Sequence, residues 1–278
     1  MLLLTLLLLQ FSAVDRQFHD AKYSECKKEL LEMLPQAEPG HEKAEALWRL
    51  ARVTLMLGDA APDLKAKREL YAGGIRYAES AIAEEPANSE GYIWHSANIG
   101  RDCLTRSLAE QAKASVRVEK DLTVILNRLR KSGHSAAWHA LAELYWRHPF
   151  KSSDAAVNFA RRAVVTIPSG EARSMTCILL ADMLYERNWN AEKRAKEASG
   201  NTDKFRSGKT MIDKYACYDG SGARLPWLNG AIGTMSDRQE AAALIRYARE
   251  RHAACKDLPA ADKAEYGNLI NWTKTHKQ

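Results

Sequence analysis

The stretch Trp138-His139-Ala140-Leu141-Ala142-Glu143-Leu144-Tyr145 decides the fold. Trp138, Leu141, Ala142 and Tyr145 stand at i, i+3, i+4 and i+7, offsets that share one face of an α-helix. The same frame recurs upstream at Leu47, Leu50, Ala51 and Thr54, and downstream at Cys177, Leu180, Ala181 and Leu184. The alanine lets a neighbouring helix approach while the larger residues fill the grooves beside it, so each such helix needs a partner. A second frame supplies one: Gly74, Ala78 and Ala81 precede Pro86, and Ala156, Ala160 and Ala163 precede Pro168. Small residues at that spacing permit close contact, and the proline ends the helix. Ala191, Ala195 and Ala198 repeat the spacing, with Gly200 in the stop role. Asn88-Ser89 caps a further helix running through Ile99.

Composition agrees with an all-α chain. Alanine, leucine, arginine, lysine and glutamate dominate its 278 residues, while valine, isoleucine and threonine are sparse. The net charge of +6 is spread over mixed acidic and basic faces. Its densest basic stretches, Arg101 to Lys131 and Lys193 to Lys214, carry few aromatics, so no nucleic acid partner is expected. Met1 to Leu9 is nearly all leucine, with Phe11-Ser12-Ala13 before the first charge at Asp15. This reads as a signal peptide over residues 1–13 and as export, not as a spanning helix, which needs about 20 apolar residues. Cys26 lacks the small residues that precede a lipid-modified cysteine. The five cysteines are widely spaced and form no zinc or disulfide framework, although Cys217 and Cys255 can pair in an oxidising compartment.

Trp138 to Tyr145 followed by Ala156 to Pro168 resembles the tetratricopeptide repeat, whose first helix carries Trp-x-x-Leu-Ala-x-x-Tyr and whose second carries small residues and a proline. Leu47 to Ala198 also resembles a narrower group, the tetratricopeptide-like T component associated with periplasmic TRAP transporters and the related regulator-of-microtubule-dynamics proteins. The residues that carry this are Leu47-Trp48-Arg49-Leu50-Ala51-Arg52, Tyr77-Ala78 with Ala81, and Trp94 with Ala97, Asn98, Gly100 and Arg101. The expected architecture is an α-solenoid of helix-turn-helix pairs: an N-terminal helix over residues 14–40, repeats over 41–199, and a Gly-rich loop with a C-terminal helical cap over 200–278. Asp59 to Glu69 reads as an insert.

Offset from the packing frame, three columns lie on one adjoining face: Trp48, Trp94, His139 and Ile178; Arg52, Asn98, Glu143 and Asp182; Leu55, Arg101, Trp146 and Tyr185. The resemblance implies that this face lines a concave groove for a protein partner, such as a periplasmic substrate-binding protein, or for a small amphipathic or carboxylate ligand gripped by Arg52 or Arg101. Two readings stay open, a binding groove or tryptophans that only fill space, with Arg52 and Arg101 paired to Glu143 and Asp182. A membrane would be met only indirectly. An adaptor holding a peptide segment of an envelope complex is the alternative role.

Chemistry is thin, and no enzyme activity, metal or cofactor is expected. His134 and His139 are five apart, and His139 with Glu143 is at most half a metal site. Gly220, Gly222 and Gly230 form no phosphate loop. Leu225-Pro226-Trp227-Leu228 reads either as a clamp onto the last helices or as an exposed partner contact. Ser236 with Gln239 reads as a capping box opening a helix that buries Ala241, Leu244, Ile245 and Ala248. Leu258-Pro259 then turns into a final helix with Tyr266, Leu269, Ile270 and Trp272.

Overall fold

A computed structural model describes residues 2–218, 225–228 and 230–276, with side chains from residue 11 onward. Gly220 and Gly222 lie outside the described residues. Among those described, the chain is helical throughout, without strands, and no helix is long and apolar enough to cross a membrane. It divides into two compact units, Met1–Leu129 and Arg130–Gln278.

The first unit holds α1 (Leu2–His19), α2 (Tyr23–Met33), α3 (His41–Ala60), α4 (Leu64–Glu84), α5 (Ser89–Cys103) and α6 (Leu108–Thr123), the last running into a π-helical turn at Val124–Arg128. Helices pack on their neighbours in order, α3 with α4, α4 with α5, and α5 with α6. The frame of α3 is buried as its spacing demands: Leu47, Leu50, Ala51 and Thr54. Gly74, Ala78 and Ala81 of α4 are buried too. Asp63 caps α4 by accepting from Ala66 N at 2.8 Å, and Asn88 caps α5 by accepting from Glu90 N at 2.9 Å. Residues 59–69 form the end of one helix, a capped turn and the start of the next, so the length beyond the regular repeat is carried as extra helix. Phe11 and Val14 of α1 join Cys26, Leu30, Ala46, Leu50 and Val53 in one apolar cluster. Phe11 falls within the stretch read as a signal peptide.

The second unit holds α7 (Ser135–Arg147), α8 (Ser153–Val165), α9 (Ser174–Arg187), α10 (Ala191–Ser207), the short α11 (Met211–Ala216), α12 (Asp237–Ala254) and α13 (Ala260–Thr275). Trp138, Leu141 and Ala142 are fully buried against α8, whose Ala156, Ala160 and Ala163 are equally so. The Trp138 ring stacks 5.7 Å from Phe159. Ser236 and Gln239 form the expected capping box, and Ala241, Leu244, Ile245 and Ala248 point inward.

Three expectations are corrected here. The partner of α9 is α12, not α10. Helix α10 buries Arg194, Asn201 and Phe205 instead of the alanine row, and Ala195 is exposed. Gly200 does not stop that helix, which continues to Ser207; without a positive φ, glycine there is simply a weak helix residue. Finally, Cys217 and Cys255 are free thiols, like the other three cysteines. Burial pushes the Cys177 thiol up to about 12, so it behaves as a small hydrophobe.

Candidate docking faces

Helix α3 presents Trp48, Arg49 and Arg52 on successive turns, and α1 lies across them. Asp15 of α1 accepts from Arg49 Nη2 at 2.8 Å and Nε at 3.1 Å, and from Arg52 Nη2 at 2.6 Å. Phe18 lies 3.8 Å from the Arg52 guanidinium and Phe11 4.4 Å from that of Arg49. Burial raises the Asp15 carboxyl, but the two guanidiniums outweigh it and hold the pKa below the usual value. Arg52 therefore pairs with Asp15, and Arg101 with Asp59 at 3.3 Å. Trp48 is buried beneath both arginines, 4.1 Å from Arg49 and 5.0 Å from Arg52.

Asn98 is also buried. Its Nδ2 donates to Ala51 O at 3.1 Å and Trp94 O at 2.8 Å, which makes it a strut between α3 and α5. What stays accessible in this unit is Trp94, half-buried on the Leu47, Trp48 and Ala81 cluster with its indole N–H on Glu90 Oε2 at 3.1 Å, and the exposed Arg101.

In the second unit α13 plays the part that α1 plays in the first. Trp272 Nε1 donates to Asp182 Oδ1 at 2.5 Å, and His276 stands 4.4 Å from the Tyr185 ring. Glu265 Oε2 also accepts from Met175 N at the start of α9, at 3.1 Å. His139 Nδ1 shares a 3.1 Å hydrogen bond with Thr176 Oγ1, Glu143 accepts from Arg147 Nε at 3.0 Å, and Trp146 is half-buried. His134 caps α7, its Nδ1 accepting from Ala137 N at 3.2 Å.

Two constellations escaped sequence reasoning. Glu240 of α12, fully buried, accepts from Arg161 Nε at 3.0 Å and Nη2 at 2.7 Å, from Trp227 Nε1 at 3.2 Å, and from Arg194. Beside it Asp237 takes Arg187 Nη2 at 2.8 Å and Nε at 2.9 Å, with Arg187 Nη1 reaching Asp154 at 2.7 Å. Three cations and three carboxylates thus tie α8, α9, α10 and α12 together. Burial alone would raise Glu240, yet Arg161 and Arg194 hold it at about 2. A shallow cleft adjoins the network, lined by Arg194, Trp189 and Asn201 among others. Trp227 is buried here, so its loop is a clamp and not an exposed contact. The available signal was a charge lodged within an apolar row: Arg161 between Ala160 and Ala163, and Glu240 four residues before Leu244.

The other constellation is His41, Glu45 and Glu85, whose ligand-type atoms lie within 4.8 Å of one another. Asn88 Nδ2 donates to Glu45 Oε1 at 2.9 Å and Glu85 Oε2 at 3.0 Å, and Arg49 Nη1 to Glu45 Oε2 at 2.6 Å. Donors of the chain itself therefore already satisfy both carboxylates, and the cluster fastens α3 to the start of α5.

A comparison with curated proteins finds no match. Residues 11–139, a little under half of the chain, match the family described as regulator of microtubule dynamics protein 1-3, which bears out that part of the sequence resemblance and runs from within α1 to the start of α7.

Proposed function

We infer that the protein is a non-catalytic helical scaffold that holds a partner protein on helix faces of its units, the one carried by α3 and α5 in the first and the one carried by α7 and α9 in the second. One observation carries this reading: in each unit that face is already seated by a helix of the chain itself, through the chemistry a partner helix would use. Asp15 and two phenylalanines meet Arg49 and Arg52 in the first unit, and Trp272 meets Asp182 in the second. Between the covered positions, Trp94 and Arg101 in one unit and His139, Glu143 and Trp146 in the other keep exposed surface, with aromatics of the type that dominate binding energy.

The finer reading, an exported scaffold serving a TRAP-type transporter by docking its substrate-binding protein or passing on a carboxylate ligand, is supported by the sequence resemblance and the leucine-rich start. The matched family's name points instead to a role beside the cytoskeleton, and both share the protein-binding scaffold. Placing a photo-crosslinking amino acid at Arg101, exposed beside Trp94, in the full chain within its native cell tests the core of this. A discrete crosslinked protein is expected. A retained small molecule in native mass spectrometry, without any protein crosslink, would replace the scaffold by a ligand carrier.

A further inference from the structure

Helix α6 carries one broad apolar stripe, and the fold covers only one side of it. Val118 and Leu122 are buried against α5, where Asp121 also receives His95 at 2.7 Å. Adjoining that face, Leu108, Ala112 and Val116 repeat at i, i+4 and i+8, with Leu108 83% and Val116 67% exposed. Leu104, in the turn before the helix, is 56% exposed. Isolated surface leucines are ordinary, but a continuous aliphatic row along one helix is the pattern of an interface.

One flank of the row is basic, while Glu119 stands on its line one turn after Val116 and Glu110 is engaged by Arg106 and Ser107. Lys113, Arg117 and Lys120 are exposed along its edge; Arg117 makes only a 3.5 Å contact with Glu79, and no ion pair is seen for Lys113 or Lys120 among the described residues. A straight row on a convex helix meets another helix best, ridge against groove, and the lysines favour acids beside that partner's apolar stripe. The chain shows such a match internally, where α1 sets Asp15 between Arg49 and Arg52 with phenylalanines on either side. We propose that the outer face of α6, built on Leu108, Ala112 and Val116 and edged by Lys113, Arg117 and Lys120, docks an acidic amphipathic helix of a partner protein. This surface lies on a different helix from the Trp94 column, so its failure would leave the scaffold reading standing.

The test is fluorescence anisotropy of the full chain with two labelled synthetic helices. Both carry leucines at helical spacing; one is flanked by glutamates, the other by lysines. The glutamate helix is expected to bind at least about tenfold more tightly, and to weaken as salt rises. Leu108→Glu with Val116→Glu should remove that binding while circular dichroism and melting stay unchanged, because both positions are exposed. Lys113→Glu with Arg117→Glu and Lys120→Glu should transfer the preference to the lysine helix. Equal binding of the two helices, or binding indifferent to Leu108→Glu with Val116→Glu, would overturn the proposal. So would phosphatidylserine vesicles, or a second copy of the chain in sedimentation equilibrium, engaging this row in place of the glutamate helix.

Discussion

The finest adjustments in this molecule are made where one side chain depends on the absence of another. A methyl group added to Gly74 would stand 2.5 Å from Asn98 Cγ, inside the amide that bridges α3 and α5. Because that amide donates to two carbonyls, it cannot move aside without leaving buried groups unpaired. Gly74→Ala should therefore destabilise the chain by about 1–3 kcal/mol, read by urea denaturation. Glu240 is the corresponding case for charge. Glu240→Gln leaves Arg161 and Arg194 without their shared anion and should cost about 3 kcal/mol. The pH dependence has a definite sign. The folded pKa, about 2, lies below the ordinary 4.5, so this carboxylate's contribution is complete above the unfolded value and drains away as pH falls from there towards 2. Unfolding curves of the wild type should lose stability across that window more steeply than those of Glu240→Gln.

At the scale of elements, the helices reveal how far a repeating pattern can be trusted. Gly200 lies inside α10, with nothing within 4 Å of an added Cβ. Gly200→Ala should stabilise the protein by about 0.5–1 kcal/mol in thermal or urea unfolding, whereas a helix-terminating glycine would make the same change destabilising. The seat of α1 on α3 rests on Asp15 between two arginines, backed by Phe11 and Val14 in the apolar cluster. Asp15→Asn should raise hydrogen exchange and protease cleavage in α1 while leaving α4 and α5 protected. Since the Asp15 pKa is lowered, the wild-type α1 should loosen in the same way as pH falls below the usual carboxylate range, and Asp15→Asn should show no such change.

For the whole molecule, the residues that build helix pairs were legible because burial follows a 3.6-residue period: the frames at Leu47 and Cys177 are buried, as is that at Trp138 save for half-buried Tyr145, and so are the alanines of α8. The partner of each helix was not always legible. A stripe shows which side of α9 is apolar but not that α12, far along the chain, will cover it; and alanine serves both as packing residue and as surface helix former, so the row in α10 imitates a seam. The column face was half legible. Spacing placed Trp48, Arg52, Trp94 and Asn98 near one another, but which were struts and which remained open depended on α1 and α3 meeting over a gap of 34 residues, as in the Asp15–Arg49 pair. The central claim, that this face serves to hold a protein, is tested most directly by Trp94→Ala in the full chain, measuring capture of the crosslinked partner alongside melting temperature. The account predicts that capture falls by at least about tenfold, as for an aromatic anchor, while melting drops by only a few degrees. Undiminished capture, or loss of capture only together with loss of the fold, would contradict it.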